Sequence, residues 1–376
     1  MTRMTRLRAS SDCKRQPSYY RLALNMSSFT RILVAVTAAA GLLTAEAQAC
    51  TRVVYHGPEG RILTGRNMDF KDPMVSNFWV FPRGMKRSGA AGSRSLEWTS
   101  KFGSLAVSGY DISTVDGMNE AGLNASLLWL NATQFPKDDG TTPRMSLAIW
   151  AQFYLDQFAT VSEAVEYTRS HPVEVVSGEV PGRPGRLAPL HLTLSDATGD
   201  SAILEWIGGK LSIHHDRSYQ VVTNDPPYDD QLASQKYWSA IDPLKFLPGS
   251  GRSEDRFVRA GFYVNAVTQS DVPRIAAAAV FSVIRNASAP YGVSIPETPN
   301  LSTTRWRIVA DQKGMVFYGE SATSPNVFWV DLKKLDFSEG AKVRKLDLGV
   351  DMEHILAGEA SSKFVPAKPY DFMEVE

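Results

Sequence analysis

Cysteine is nearly absent from this chain: 376 residues carry two, Cys13 and Cys50. A disulfide framework has almost nothing to be built from. An excess of charge is lacking too. Lys+Arg and Asp+Glu number 40 each, no basic stripe interrupts the sequence, and nucleic acid is excluded as an expected partner. No apolar run is long enough to span a bilayer, since the best candidate, Ile32 to Leu43, is only 12 residues long. There is no glycine-rich phosphate loop and no G-x-S-x-G elbow. The histidines (His56, His171, His191, His214, His215, His354) are scattered without metal-ligand spacing. His214 and His215, adjacent on an expected strand, would face opposite ways. Neither a metal, a cofactor nor a Ser-His-Asp triad is therefore expected.

The short apolar run has its own meaning. Arg31 precedes it, a polar stretch follows, and Ala47-Gln48-Ala49 supplies a small-x-small site directly before Cys50. A basic flank, a short apolar core and an A-x-A site describe a secretory signal peptide. Met26 gives a leader of ordinary length, so residues 1–49 read as leader with Met26 as the true start, and 50–376 as a single exported, periplasmic or secreted domain. The alternative is a lipoprotein signal, with Cys50 acylated and its amine blocked. That processing prefers Leu at the third position before the cysteine, where Ala47 stands, and a residue smaller than Gln48 next. The two readings exclude each other, because a blocked amine and thioether cannot transfer acyl groups.

Cutting after Ala49 leaves 327 residues with 33 basic and 38 acidic side chains, and one cysteine at the new terminus. A free thiol in an oxidising compartment is a liability unless it is used. A lone cysteine is ordinarily a buried core residue, but termini are seldom deeply buried. At position 50 one residue would carry both a thiol and a free α-amine, a nucleophile with its own base.

Periodicity predicts the rest of the layout. Thr51–Tyr55 and Arg61–Asn67 flank a Gly/Pro turn and read as a hairpin, which folds Arg66 and Asp69 back toward Cys50. Strands are expected over Trp98–Ile112 and Leu123–Leu130, joined by a glycine-punctuated turn over Val115–Gly122. A helix is expected from Met145 to about Phe158, and Thr160 with Glu163 forms a capping box that opens another, ending near Arg169. Gly178–Pro189 reads as an exposed loop. His191–Ser195, Ser201–Ile207, Leu211–His215 and Tyr219–Thr223 read as an antiparallel meander. Helices over Arg256–Val267 and Pro273–Val283 precede strands over Trp306–Ala310, Met315–Gly319 and Asn326–Val330, then an irregular tail. Strands and helices without βαβ alternation predict one α+β domain.

Chemistry centres on the expected terminus. An α-amine titrates near 7.7–8.0 and a thiol near 8.5. An Arg66 guanidinium near the sulfur would favour thiolate, and Asp69 could hold the amine. Attack on a carbonyl creates an oxyanion that needs fixed donors, for which the amide of Asn224, at the end of an expected strand, is a candidate. Each of these residues also has a plain structural reading: Arg66 as a hairpin-end charge, Asp69 as an Asx-turn residue, Asn224 as a turn former before prolines.

Taken in order, Cys50-Thr51, Gly65-Arg-Asn-Met-Asp69, Asp116-Gly-Met-Asn-Glu-Ala-Gly-Leu123, Thr223-Asn-Asp-Pro226, Arg256-Phe-Val-Arg259 and Phe328-Trp-Val-Asp-Leu-Lys-Lys-Leu-Asp-Phe337 resemble the choloylglycine hydrolase family of N-terminal-nucleophile amidases, which includes bile salt hydrolases and penicillin V acylases. The resemblance implies a four-layer αββα fold with two stacked antiparallel sheets, and no cofactor. It implies Cys50 as nucleophile, Arg66 and Asp69 as its activators, Asn224 as oxyanion donor and Arg256, rather than Arg259, as the second arginine of the site. One departure bears on substrate: Trp129 stands where family members carry Asn or Tyr, and with Phe70 it is expected to bind substrate, although a Trp flanked by Leu128 and Leu130 also suits the sheet core. The implied substrate is a small N-acyl amide: penicillin V, an acyl-homoserine lactone, or a conjugated bile salt. A homotetramer without membrane attachment after cleavage is implied as well. The competing class is a lipid-anchored binding protein that uses the same fold without catalysis.

Overall fold

The computed structural model describes residues 50–295, 298–324 and 326–376; the leader expected over 1–49, with its Met26 start, lies outside the described residues. From Cys50 on, no domain boundary divides them. The β-branched arms around the His56–Gly60 turn pair as β1 (Thr51–His56) and β2 (Ile62–Asp69), antiparallel, with Thr51 opposite Asn67 and His56 opposite Ile62.

This hairpin lies near the middle of the first of two large sheets, whose strands alone are numbered here. Its order is β10 (Val221–Val222), β1, β2, β11 (Thr304–Asp311), β12 (Val316–Ser321), β13 (Val327–Asp331) and β15 (Gly358–Glu359). The second runs β9 (Lys210–His215), β8 (Ser201–Ile207), β7 (Leu190–Ser195), β6 (Asn124–Trp129), β5 (Ser113–Asn119), β4 (Ser104–Gly109), β3 (Phe78–Phe81), β14 (Arg344–Leu346) and β16 (Val365–Pro366). Both are antiparallel apart from the β13–β15 pair.

Side-chain alternation gives each sheet two buried faces. The inner faces share one core, to which Ile308, Phe78, Val107, Ile203 and Phe317 all belong. On the outer face of the nine-stranded sheet, helices α1 (Leu147–Gln157) and α2 (Val161–Ser170) enclose a second core. On the outer face of the seven-stranded sheet lie α4 (Ser253–Ala266) and α5 (Pro273–Asn286), against β1, β2 and β11, with α3 (Tyr228–Ser239) packed on α4. This is the four-layer αββα arrangement the family resemblance implies. Among the described residues, no helix is long and apolar enough to cross a membrane.

Caps set the helix starts. Ser146 accepts from Ala148 N (3.2 Å) at the head of α1, and the expected capping box forms on α2, where Thr160 Oγ1 accepts from Glu163 N and Glu163 Oε2 from Thr160 N.

Several sequence expectations are corrected. Trp98–Ile112 is not one strand: a short strand, Glu97–Thr99, pairs with Lys86–Ser88, and β4 starts only at Ser104. Tyr110 and Asp111 then turn the chain with positive φ of 56° and 50°. Val115–Gly122 is mostly strand β5, with the turn confined to Glu120–Gly122. Gly117 is there for contact rather than turning, since a Cβ would come within 2.8 Å of both Leu105 O and Leu155 Cδ1. The meander is also shorter than expected. Its first three strands are β7, β8 and β9, but the fourth run leaves that sheet and pairs with β1 as β10.

Candidate active site

That displaced strand builds the site. β10 sets Val222 opposite Arg52 and Val221 opposite Val53. Carried two steps further, the same register puts Asn224 opposite Cys50. On the other side of β1, the hairpin register puts Met68 opposite Cys50, with Asp69 next along. Cys50 is thus flanked on both sides by residues of other strands, and it is buried, 4% exposed.

Its backbone is gripped from several directions. Cys50 N donates to Asn224 Oδ1 (2.6 Å). Arg256, in the first turn of α4, donates through Nη1 to Cys50 O (2.6 Å) and Thr51 Oγ1 (2.6 Å), and through Nη2 to Asn224 Oδ1 (2.7 Å). Asn224 Oδ1 accepts from both, which fixes the amide's orientation, and Nδ2 donates to Trp129 O (2.8 Å). An Asn Nδ2 carries two hydrogens, so the second remains for another acceptor. Arg259, three residues on, turns to Pro248 O and Ser250 O (2.8 Å each) and does not reach Cys50.

Asp69 ends β2 fully buried. Its Oδ1 accepts from Thr304 Oγ1, while Oδ2 has no hydrogen-bond partner among the described residues. Burial pushes the carboxyl up to about 6, against the pull of Arg256, the Thr304 hydroxyl, Arg307 and Arg66. An unpartnered buried carboxylate oxygen is costly, and it lies in the strand next to Cys50, one position past its partner. Cys50 Sγ itself is 3.9 Å from Asp69 O.

Arg66 and Arg52 face each other across the hairpin and both point into the space between the sheets. Arg66 donates to Val115 O (2.8 Å), Asp116 Oδ2 (3.3 Å) and Leu127 O (2.6 Å) on the opposite sheet, and its guanidinium lies 5.2 Å from the Trp306 ring centroid. Burial pushes the Asp116 carboxyl up, while Arg66 and the Ser126 hydroxyl draw it down. Arg66 and Cys50 line one pocket, with the arginine's firmest partners lying across the sheets.

The pocket holds about 710 Å³ of empty space, part of it open to solvent. Met68, Phe70, Val115, Leu127, Trp129, Val180 and Leu190 make its lining overwhelmingly apolar. Trp129 satisfies both readings open in the sequence: it belongs to the core and its ring also forms a pocket wall. Its Nε1 donates to Asn131 Oδ1 (2.8 Å), and Asn131 Nδ2 donates to Asp225 Oδ2 (2.8 Å), so the indole presents carbon to the cavity. Phe70 sits 6.3 Å from it, centroid to centroid, and Arg186 of the Gly178–Pro189 loop covers it at 5.1 Å.

Sequence reasoning misses Thr304, Asn131 and Met373 at this site, and names Asp116 and Asp225 only as parts of motifs. Asp225 follows Asn224 directly, but neither Thr304 nor Asn131 carries a local signal. Among the described residues one trio of carboxylates, Asp138, Asp139 and Glu174, brings oxygens within 4.8 Å of one another. Arg94 and Arg144 already pair with them, and none of the three lines the Cys50 pocket.

The sequence model of the linear amide C–N hydrolases, choloylglycine hydrolase family, matches residues 50–345. The chain belongs to the choloylglycine hydrolase family. Penicillin V acylase of Pectobacterium atrosepticum is 48% identical over 363 residues, covering 90% of this chain and 95% of that one. Bile salt hydrolase/transferase of Clostridium perfringens is 24% identical over 339 residues, covering 81% and 99%. Among solved structures, penicillin V acylase from Agrobacterium tumefaciens superposes with a TM-score of 0.81 at 52% identity, over 87% of this chain and all of that one. A variant of conjugated bile acid hydrolase from Clostridium perfringens shares the fold at a TM-score of 0.67 and 21% identity, over 79% and 97%. As a choloylglycine hydrolase family member the chain is a hydrolase of linear amide C–N bonds, and the matched region begins at Cys50.

Proposed function

We propose that this amide hydrolase is exported, that cleavage after Ala49 frees the α-amine of Cys50, and that Cys50 is the nucleophile. The observation that carries the reading is the position of the thiol. It lines an apolar pocket while Asn224 and Arg256 hold its own backbone, so the sulfur is aimed without being tied down.

The amine, directly or through a water, takes the thiol proton, and the sulfur attacks the amide carbonyl. The second Nδ2 hydrogen of Asn224, opposite Cys50 in the sheet, receives the oxyanion. Collapse breaks the C–N bond as the ammonium at Cys50 returns its proton to the leaving amine, leaving a thioester. A water, deprotonated by the same amine, then releases the acid and restores the thiol. Asp69 Oδ2, unpartnered and buried, accepts from the amine and keeps it in place, while Arg66 supplies positive charge to the pocket. No cofactor enters this scheme.

For substrate we propose a small N-acyl amide with an apolar acyl group, penicillin V first, in line with what the 48%-identical relative is named for. Acyl-homoserine lactones and conjugated bile salts stand next. The test is mass spectrometry of the exported protein's N-terminus, with turnover of those substrates by the wild type and by Cys50→Ser. An unmodified Cys50 terminus and a folded Cys50→Ser variant at least about 100-fold slower are expected. A diacylglyceryl adduct would establish the lipid-anchored binding protein instead, and full activity in Cys50→Ser would end the nucleophile assignment.

A further inference from the structure

The segment 368–376 lies beyond the residues matched by the family's sequence model, and in the fold it is an irregular tail. It is nonetheless firmly held. Tyr370 OH hydrogen-bonds Thr114 Oγ1 (2.7 Å), and its ring packs edge-on against Trp79 and Phe81. Phe372 meets the Tyr370 ring and lies beneath the Arg87 guanidinium. Met373 N donates to Ile112 O (3.0 Å), Ser146 Oγ to Met373 O (2.7 Å), and Val375 N to Ala90 O (2.9 Å).

These bonds deliver one side chain of the tail to the Cys50 pocket. Met373 is a wall residue there, seated against Gly178. A Cβ on Gly178 would lie 2.3 Å from Met373 Cε and 3.0 Å from Sδ, so the glycine makes room for the thioether. Its pocket neighbours in the β4–β5 turn, α1 and the Gly178–Pro189 loop are mostly apolar, Ile112, Leu147, Ala148 and Val180, while the polar groups there, Ser113 and Glu179, are engaged with Ala148 O (3.0 Å) and Gly185 N (2.9 Å). Cys50 stands on the other sheet, across the cavity.

We propose that Met373 closes the acyl end of the pocket and sets which acyl groups fit. This rests on the reading of Cys50 as an amidase nucleophile. A largely apolar wall on the sheet opposite the thiol receives the acyl chain, because its few polar groups, Ser113 and Glu179, already hold partners within the protein and offer the polar leaving amine little. Met373 is a specificity-determining residue, unbranched and able to re-pack against an aryl or alkyl terminus.

The test measures kcat/KM for p-nitroanilides of butanoyl, octanoyl, dodecanoyl and phenoxyacetyl groups, using the mature chain, Met373→Ala, Met373→Phe and a chain ending at Phe372. A parallel series keeps the phenoxyacetyl group and varies the amine. Met373→Ala and the shortened chain raise the dodecanoyl-to-butanoyl ratio about 10-fold, and Met373→Phe lowers it by a similar factor, the scale of one or two methylenes in an apolar pocket. The amine series changes by no more than about 2-fold. Acyl ratios unchanged to within about 2-fold in all three folded variants overturn the proposal, as does a shift confined to the amine series. Failure of the wild type on every anilide and every phenoxyacetyl amide would instead overturn the reading of the Cys50 site, on which the proposal stands.

Discussion

Replacing Asp69 by Asn should have opposite consequences in a chain with a free Cys50 amine and in one with a residue left ahead of it. Where Cys50 N is an amide, no positive charge sits on it and Asp69 Oδ2 is unpartnered. The carboxyl is raised from 3.8 to about 6, roughly two pK units at 1.36 kcal/mol each, or about 3 kcal/mol of stability withheld once the group must ionise. The sign is the reverse of the usual aspartate. The folded state binds the extra proton between about pH 4 and 6, so the penalty is absent below pH 4, grows through that window and is complete above it. The amide introduced by Asp69→Asn keeps an oxygen for the Thr304 hydroxyl and carries no charge. In the blocked chain, Asp69→Asn therefore stabilises by up to about 3 kcal/mol at pH 7.5 and by nothing near pH 3.5. In the free-amine chain an ammonium beside the carboxylate cancels the gain or inverts it. Urea unfolding of the four proteins at both pH values gives the coupling as a double-mutant cycle. An Asp69→Asn effect at pH 7.5 that is the same with and without the free amine would refute the pairing of Asp69 with the amine.

Arg256→Ala strips Cys50 O and Thr51 Oγ1 of this donor and removes one of two donors to Asn224 Oδ1, all in a fully buried place beside Asp69; a loss of about 3–5 kcal/mol is expected by chemical denaturation, with near-complete loss of turnover. Thr304→Val removes the hydroxyl that holds Asp69 down, so Asp69 rises further and the acid limb of kcat/KM moves to higher pH, read from a pH–rate profile. Gly117→Ala forces a methyl to within 2.8 Å of Leu105 O and Leu155 Cδ1 and should destabilise by about 1–3 kcal/mol without altering the limiting kcat.

What was legible in the sequence was local. The hairpin that returns Arg66 and Asp69 to Cys50, the capping box at Thr160 and the helix that bears Arg256 all follow from short-range chemistry, and the motifs carry the family. The sheet that β10 joins was not: Tyr219–Thr223 reads as a strand, but nothing local says which sheet Val221 and Val222 join. Helix α3 was missed because Asp225-Pro-Pro227 reads as a turn, although a proline pair suits the entry to a helix as well. Gly117 imitates a turn glycine while serving a helix–sheet contact. Thr304 and Asn131 act through partners 235 and 94 residues away, distances at which a single sequence offers no pattern to read.

The long reach of those partners has a kinetic side. Cys50 meets Asn224 and Arg256 across 174 and 206 residues of chain, and contacts of such separation close late in folding. A chain still being made, or on the proposed export still threading through a translocation channel, holds its sulfur without a clamp, a pocket or a neighbouring carboxylate. On the proposed mechanism the polypeptide is inert toward amides inside the cell that makes it, and acquires its chemistry only when both sheets have closed on the far side.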